Sequence, residues 1–432
     1  MKKKSVLALT LAGAMCLSLA ACGGGNGGDG GKGSADGGTG GSGDALSVAI
    51  WDNAQLAGLK QITDSFTSET GIPVDLQVVP WDQYWTLLEA GASGGDLPDV
   101  FWMHSNYSQK FMSNDILLDL TDRIAQSDKI DLANYYEDIT GLYQLDGKTY
   151  AIPKDYDTIC LWYNKAIFDE AGVAYPDETW TWQTMADTAE KLTDKETGIY
   201  GFSSPPSFNQ DGYYNLIYSM GGSVLNDDKS ASAWDSPETI AAMQWWYDNL
   251  VTKSMPAVEV MAETTPDVLL GSGKLAMALE GSWMVSAFKA NEYTDENCDV
   301  AVLPMAEDGA RKTIYNGLGW AAAANGDHTE EAWKLLEYFG SKEMQLKQAE
   351  LGVTMSAYMG TSDTWVNCAP EFNLQAYLDM TADMQIRPYT KNTKLWEDYS
   401  QTTMVKAYTA DMTMEEVCKD IADYMNKQIA EE

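Results

Sequence analysis

Histidine is almost missing from this 432-residue chain, with only His104 and His328 present. That leaves little room for a histidine-built metal cluster or a histidine-dependent proton relay. Basic residues are also scarce: 28 Lys+Arg stand against 64 Asp+Glu, a formal net charge of −36 at pH 7. A nucleic-acid partner is not expected, because a phosphate backbone must be neutralised by Lys and Arg. No two cysteines form a C-x-x-C pair, which leaves zinc and thioredoxin-like chemistry unsupported. Cys160, Cys298, Cys368 and Cys418 could be oxidised in an exported chain, and the sequence leaves their pairing open. Cys160 lies in an apolar run and reads as a small core residue. There is no phosphate-cradling Gly-Lys-Ser/Thr loop, no EF-hand spacing and no repeat of fixed period, so no cofactor and no metal are expected.

Long hydrophobic runs are lacking too. Ser5 to Ala21 is apolar, but it is short and interrupted by Gly13 and Ser18, too little for a membrane span. Behind Lys2, Lys3 and Lys4 it reads as a secretory signal over residues 1–21. The signal ends in Leu19-Ala20-Ala21-Cys22, which resembles a bacterial lipobox. That resemblance implies a lipid with at least two acyl chains, palmitate among them, on the sulfur of Cys22, enough for stable anchoring. Residues 22–44 follow as a Gly-rich linker. Thirteen of the residues from 23 to 44 are glycine, and such a coil reaches about 25 Å without burying anything.

What is abundant is aromatic and acidic. The chain holds 15 Trp and 23 Tyr but 9 Phe, a bias toward rings that join a flat apolar face to a polar tip. Hydrophobic residues make up 45%, which argues for a folded body, and the length exceeds what one core sustains, so two lobes are expected. Leu46–Trp51 alternates in the strand period, and Leu56, Leu59, Ile62 and Phe66 recur at helical spacing up to Gly71. Pro73–Val79 reads as strand, Asp82–Gly91 as helix and Leu97–Trp102 as strand. This β-α-β-α-β order predicts an α/β fold with a parallel sheet, its ligands beyond the carboxyl ends of the strands. Further on, Tyr150–Pro153, Thr158–Tyr163, Lys274–Leu279, Asp299–Leu303 and Leu318–Ala323 are expected strands. Trp182–Thr193, Pro237–Val251 and most of the tail from Thr329 are expected helices. Ser236-Pro237 is an N-terminal helix signal, and Asp327–Glu330 and Thr413–Glu416 fit the capping-box pattern.

Five ordered markers then accumulate: Trp51 with Gly71-Ile72-Pro73-Val74; Leu97-Pro98-Asp99-Val100-Phe101-Trp102; Tyr150–Pro153 running to Tyr163-Asn164-Lys165; Gly273–Met277 running to Gly281-Ser282-Trp283; and Val302-Leu303-Pro304 before Asn316-Gly317-Leu318-Gly319-Trp320. Together they resemble the extracellular solute-binding proteins of ABC transporters, the group that includes maltose-binding protein. The resemblance spans nearly all of residues 46–432. It implies a two-lobe, type II periplasmic-binding-protein-like α/β fold, with mixed and parallel sheets flanked by helices and a hinge. Its N-terminal lobe would be 45–154 plus 305–358 and its C-terminal lobe 155–304 plus 365–432. The chain would cross between lobes near Pro153–Asp157, near Pro304 and after Tyr358.

The resemblance further implies a lipid-anchored component of an ABC importer on the outer face of the cell membrane, or in the periplasm if an outer membrane is present. It would be a monomer, not an enzyme, and would deliver a carbohydrate to membrane permease subunits. A sugar ring offers C–H faces to aromatic rings and hydroxyls to carboxylates and amides. The expected stacking residues are Trp283, Trp102, Trp396 and Trp320, with Trp162, Trp180, Trp182, Trp245, Trp246 and Trp333 assigned to packing. The expected hydroxyl partners are Asp157, Asp52, Asn53, Ser105, Asn106 and Asn209, with Asp211 and Arg387 as secondary candidates. Gly317 and Gly319 are expected where backbone approaches closely. A lipid-anchored glycoside hydrolase and a binder of a non-sugar ligand such as an amine or peptide remain the alternatives, since acids are abundant.

Overall fold

The computed structural model describes residues 45–432, so Cys22 and the Gly-rich linker lie outside the described residues. In chain order the elements that place the site begin with β1 (Leu46–Ile50), α1 (Leu56–Thr70), β2 (Val74–Val78), α2 (Trp81–Gly94), β3 (Val100–Met103) and α3 (Ser105–Ser113). Then come β4 (Ala151–Pro153), β5 (Ile159–Asn164), α4 (Trp182–Leu192), β6 (Tyr200–Phe202), α5 (Pro237–Trp246), β7 (Leu275–Gly281) and β8 (Cys298–Ala301). The chain closes with β9 (Thr313–Tyr315), β10 (Gly319–Ala322), α6 (Thr329–Gly340), α7 (Lys342–Glu350), β11 (Met384–Ile386), α8 (Thr393–Tyr408) and α9 (Met414–Ala430).

Two main sheets result. The first runs β2-β1-β3-β10-β4; the second runs β8-β5-β7-β6. In the first, β1 pairs in parallel with β2 and β3, as the alternating pattern predicts, whereas β10 runs antiparallel to β3 and β4. The second is mixed: β5 is antiparallel to β7 and β8, and β6 is parallel to β7. Inner strands are buried on both faces and read as unbroken apolar runs, for example Ile159-Cys160-Leu161-Trp162-Tyr163 in β5. The edge strand β2 keeps the alternation, with Val74, Leu76 and Val78 half-buried and Asp75 and Gln77 exposed.

The chain passes from the first sheet to the second between β4 and β5, and returns between β8 and β10. The short parallel pair β9–β11 stands in neither sheet. Two carboxylates of the first passage fasten the second: Asp155 accepts the Leu318 N–H at 2.7 Å, and Asp157 accepts the Asn316 N–H at 2.9 Å. Gly317 lies between these residues. A Cβ there would stand 2.3 Å from the Asp155 carbonyl oxygen, so only glycine allows the two passages to touch. At Gly319 the close neighbours are instead the Ala151 and Tyr143 side chains.

Helix ends follow their sequence signals with one exception. Gly71 closes α1 in the left-handed region at φ 74°, Ser236 caps α5 ahead of Pro237, and Thr413 with Glu416 forms a full capping box on α9. At Asp327–Glu330 no capping box forms. The cap position belongs to His328, and Glu330 is drawn away to Arg123 at 2.5 Å. The segment predicted as one helix over Pro237–Val251 is α-helical to Trp246 and widens to a π-turn over Tyr247–Val251. Cys160, Cys298, Cys368 and Cys418 are free thiols. Among the described residues no helix is long and apolar enough to cross a membrane.

Candidate functional site

A cavity of about 390 Å³ opens beyond the carboxyl ends of strands from both sheets. From the first sheet, β1 delivers Trp51 and Asp52, β2 is followed by Trp81, and β3 is followed by His104 and Asn106. From the second, β7 delivers Ser282 and Trp283. The two passages add Asp155, Asp157 and Asn316, and the segment after β11 adds Arg387. Glu397 comes from α8.

The aromatic side of this wall is built by packing. Trp51 meets the edges of Trp81, Tyr84 and Trp102 at centroid distances of 5.0, 5.0 and 4.8 Å. Edge-to-face contacts of this kind fix ring orientation. Trp283 comes from the second sheet, and its ring folds back over the end of β7. A Cβ on Gly281 would fall 2.0 Å from that ring, so the indole keeps its place because residue 281 has no side chain.

The polar wall is a set of linked networks. Asp52 caps the turn that follows it, accepting the Ala54 N–H at 2.8 Å and the Gln55 side-chain amide at 2.9 Å. Gln55 in turn accepts from Lys154, whose fully buried ammonium pairs with Asp155 at 2.6 Å and lies 4.6 Å from the Trp102 ring centroid. Asp157 accepts from the Gln210 side chain at 2.8 Å. Arg387 donates to Asn106 and to Asn209, the latter at 3.1 Å, and pairs with Glu397 at 2.8 Å. Burial pushes Asp157 well above the usual carboxylate range, against the Asn316 N–H that pulls it down. Burial also raises Asp211, to about 6, and raises Glu397. It lowers His104, and the charge of Arg387 adds to that; the ring is neutral, with Nδ1 accepting the Asn106 N–H at 3.2 Å. Among the described residues no His/Cys/Asp/Glu group has the arrangement of a metal site.

The cavity brings together Trp283, Asp52, Asp157, Asn106 and Asn209, with the secondary candidates Asp211 and Arg387. Five expected residues lie outside its wall. Trp102 is a fully buried core residue behind Trp51, because the side chains of an inner strand point into packed layers. Trp320 faces Trp102 across the β3–β10 ladder and stacks on Phe339 at 4.2 Å, also in the core. Trp396 is buried on the inner face of α8 and donates to Thr390 at 3.0 Å. Its neighbour Glu397 is the one that lines the cavity, one position further round the helix. Asn53 turns outward to solvent in the short 3-10 turn that Asp52 caps. Ser105 is buried at the start of α3, and the following residue, Asn106, takes the wall position.

Sequence reasoning missed Trp51 and Trp81 as site residues, along with His104, Gln210 and Glu397. Trp81 was within reach, since it follows a parallel strand just as Trp51 does. Gln210 carries no comparable signal. It sits in an irregular turn, Asn209–Tyr213, where Gly212 adopts φ −154°, ψ −128°.

Residues 61–372 match the model of the bacterial extracellular solute-binding protein family. The chain belongs to that family. Its members and its structural neighbours are binding proteins. A putative binding protein of Brucella abortus is 25% identical over 369 residues, which cover 84% of this chain and 87% of the relative. The maltotriose-binding protein of Pyrococcus abyssi is 25% identical, covering 70% of this chain and 64% of its own. An ABC substrate-binding protein from Listeria monocytogenes, solved in complex with cycloalternan, superposes with a TM-score of 0.81 at 24% identity, covering 89% of this chain and 99% of that one. The α/β architecture with sheets flanked by helices is therefore that of the two-lobe binding proteins.

Proposed function

We propose that this solute-binding protein holds a carbohydrate in the cavity and hands it to the permease subunits of an ABC importer. The observation that carries the reading is the composition of the walls. Trp51 and Trp81 from the first sheet and Trp283 from the second offer indole surface, and carboxylates and amides line the same cavity. A sugar needs both: apolar cover for its C–H faces and acceptors and donors for its hydroxyls. The named ligands of the relatives, maltotriose and cycloalternan, belong to the same chemical class.

The proposed lobes are 45–154 plus 305–358 and 155–304 plus 365–432, each centred on one main sheet. Contacts to both lobes would make the ligand favour the closed state. Cys22 would carry the lipid that holds the chain at the outer face of the membrane, and the protein would act as a monomer without turnover. The test is a melting-shift screen against neutral mono- and oligosaccharides, since a ligand that binds the native state raises its apparent stability. A concentration-dependent rise with some saccharide is expected, and the sugar is recovered intact after prolonged incubation. No shift with any saccharide refutes the reading, and sustained release of cleavage products refutes the transport role. Cys22→Ala is expected to free the protein from the membrane fraction, and continued retention refutes the anchor.

A further inference from the structure

The charges on the cavity wall do not balance. Its two cations are already matched: Arg387 pairs with Glu397 at 2.8 Å, and Lys394 pairs with Asp398. Asp155 is matched from behind by Lys154 at 2.6 Å. Among the described residues, three carboxylates on the wall have no cation within ion-pair distance: Asp52, Asp157 and Asp211. Asp52 and Asp157 receive only neutral donors, the Ala54 and Asn316 N–H groups and the Gln55 and Gln210 amides. Asp211 accepts no hydrogen bond from another side chain among the described residues.

These three acids come from different segments of the chain. Asp52 follows the first sheet, Asp157 stands in the passage between sheets, and Asp211 belongs to the irregular turn on the second-sheet side. A ligand in the cavity is therefore bordered by three acids that no cation pairs with at ion-pair distance among the described residues. Among the described residues, two buried donors on the same wall lack partners, the Nδ2 of Asn209 and the Nε of Arg387, so the site is also short of ligand oxygen acceptors. Hydroxyl-bearing ligands satisfy those donors, and an added ammonium would satisfy the acids.

We infer that the cavity selects its saccharide by charge: neutral and amino-bearing sugars are taken, uronic acids and sugar phosphates are refused, and Asp211 is the residue that confers the preference for an amine. This rests on the carbohydrate reading above and narrows it. Bringing a second anion into an enclosed site already lined by unpaired carboxylates adds repulsion without removing any desolvation cost. An ammonium offers those carboxylates charge-assisted hydrogen bonds instead. Burial already drives Asp157 and Asp211 upward, and the charges of Asp155 and Asp267 push in the same direction, while Arg387 opposes. A bound cation would reverse that displacement.

The experiment is calorimetric titration of the full chain with matched sets of sugars in the gluco, galacto and manno series, as mono- and disaccharides. Each set contains the neutral parent, its 2-amino and 6-amino forms, its 6-carboxylate and its 6-phosphate. Within the series that binds, one amino form is expected to bind about tenfold tighter than its parent, and the carboxylate and phosphate at least about tenfold weaker. Asp211→Asn is expected to shrink the amino-to-neutral affinity ratio severalfold, a readout that a purely structural role would leave unmoved. A carboxylate or phosphate that binds as tightly as its parent overturns the charge selection, as does an amino form no tighter than its parent. An unchanged ratio in Asp211→Asn overturns the role of that residue. Failure of every sugar to bind overturns the carbohydrate reading itself, and is distinguishable from selection of the opposite charge.

Discussion

The two walls of the cavity are built on opposite plans. On the first-sheet side, Trp51 is braced by Trp81, Tyr84 and Trp102, and Asp52 is tied to its own turn through Gln55, with Lys154 behind. On the second-sheet side a single indole, Trp283, rests over Gly281, and the neighbouring turn leaves Asn209 Nδ2 without a partner. One wall is fixed by packing before any ligand arrives; the other is completed by the ligand. Preorganisation of the first limits the ordering that binding must impose, and the unsatisfied groups of the second supply the hydrogen-bond demand.

The two walls are joined at Arg387, which donates to both Asn106 and Asn209. Arg387→Met strands Glu397 as a buried carboxylate, and thermal unfolding should register a loss of about 3–5 kcal/mol. Reversal of this loss in the double variant with Glu397→Gln would attribute it to the stranded charge. Next comes Trp51→Ala. Removing a braced indole should cost about 3 kcal/mol of stability in denaturant melts and abolish measurable sugar binding together.

A smaller effect separates the walls by pH. The folded-state value of Asp211 lies at about 6, above its ordinary carboxylate value. Raised acids favour the folded state where they are protonated, so Asp211 stabilises the ligand-free protein at low pH, and this contribution fades as pH rises from about 4 to 6. Melting curves across that window should decline less steeply in Asp211→Asn than in the parent; equal slopes would mean Asp211 titrates normally. The mildest expected effect is at Gly281→Ala, where the new methyl group must displace the Trp283 ring. Sugar affinity should drop severalfold while the melting temperature shifts little, because the ring stands at a cavity edge and not in the core.

Much of this design was legible in the sequence. The parallel strands β1, β2 and β3, the glycine stop at Gly71 and the capping box at Thr413 all follow from local patterns that tertiary packing leaves intact. The rule that ligands lie beyond strand ends pointed to Asp52 and Asn106, and the Gly-Ser-Trp segment at the end of β7 pointed to Trp283. What could not be read was facing. Trp102 and Trp51 are both indoles at the ends of neighbouring parallel strands, yet one is sealed and the other borders the cavity, because Trp102 is the third of four strand residues and Trp51 the first residue past its strand. Trp396 and Glu397 show the same limit on a helix, where one step of rotation exchanges core for cavity. Arg387 meets its partners from residues 106, 209 and 397, and no local pattern announces so distant a convergence.

The central claim is that a sugar ring lies against the unbraced indole of the second wall. Titration calorimetry of Trp283→Ala, using the saccharide that gives the largest melting shift with the parent protein, tests it most directly. At least a tenfold rise in the dissociation constant, about 1.4 kcal/mol, is expected, with thermal stability retained. An unchanged dissociation constant in a variant that melts like the parent would contradict it.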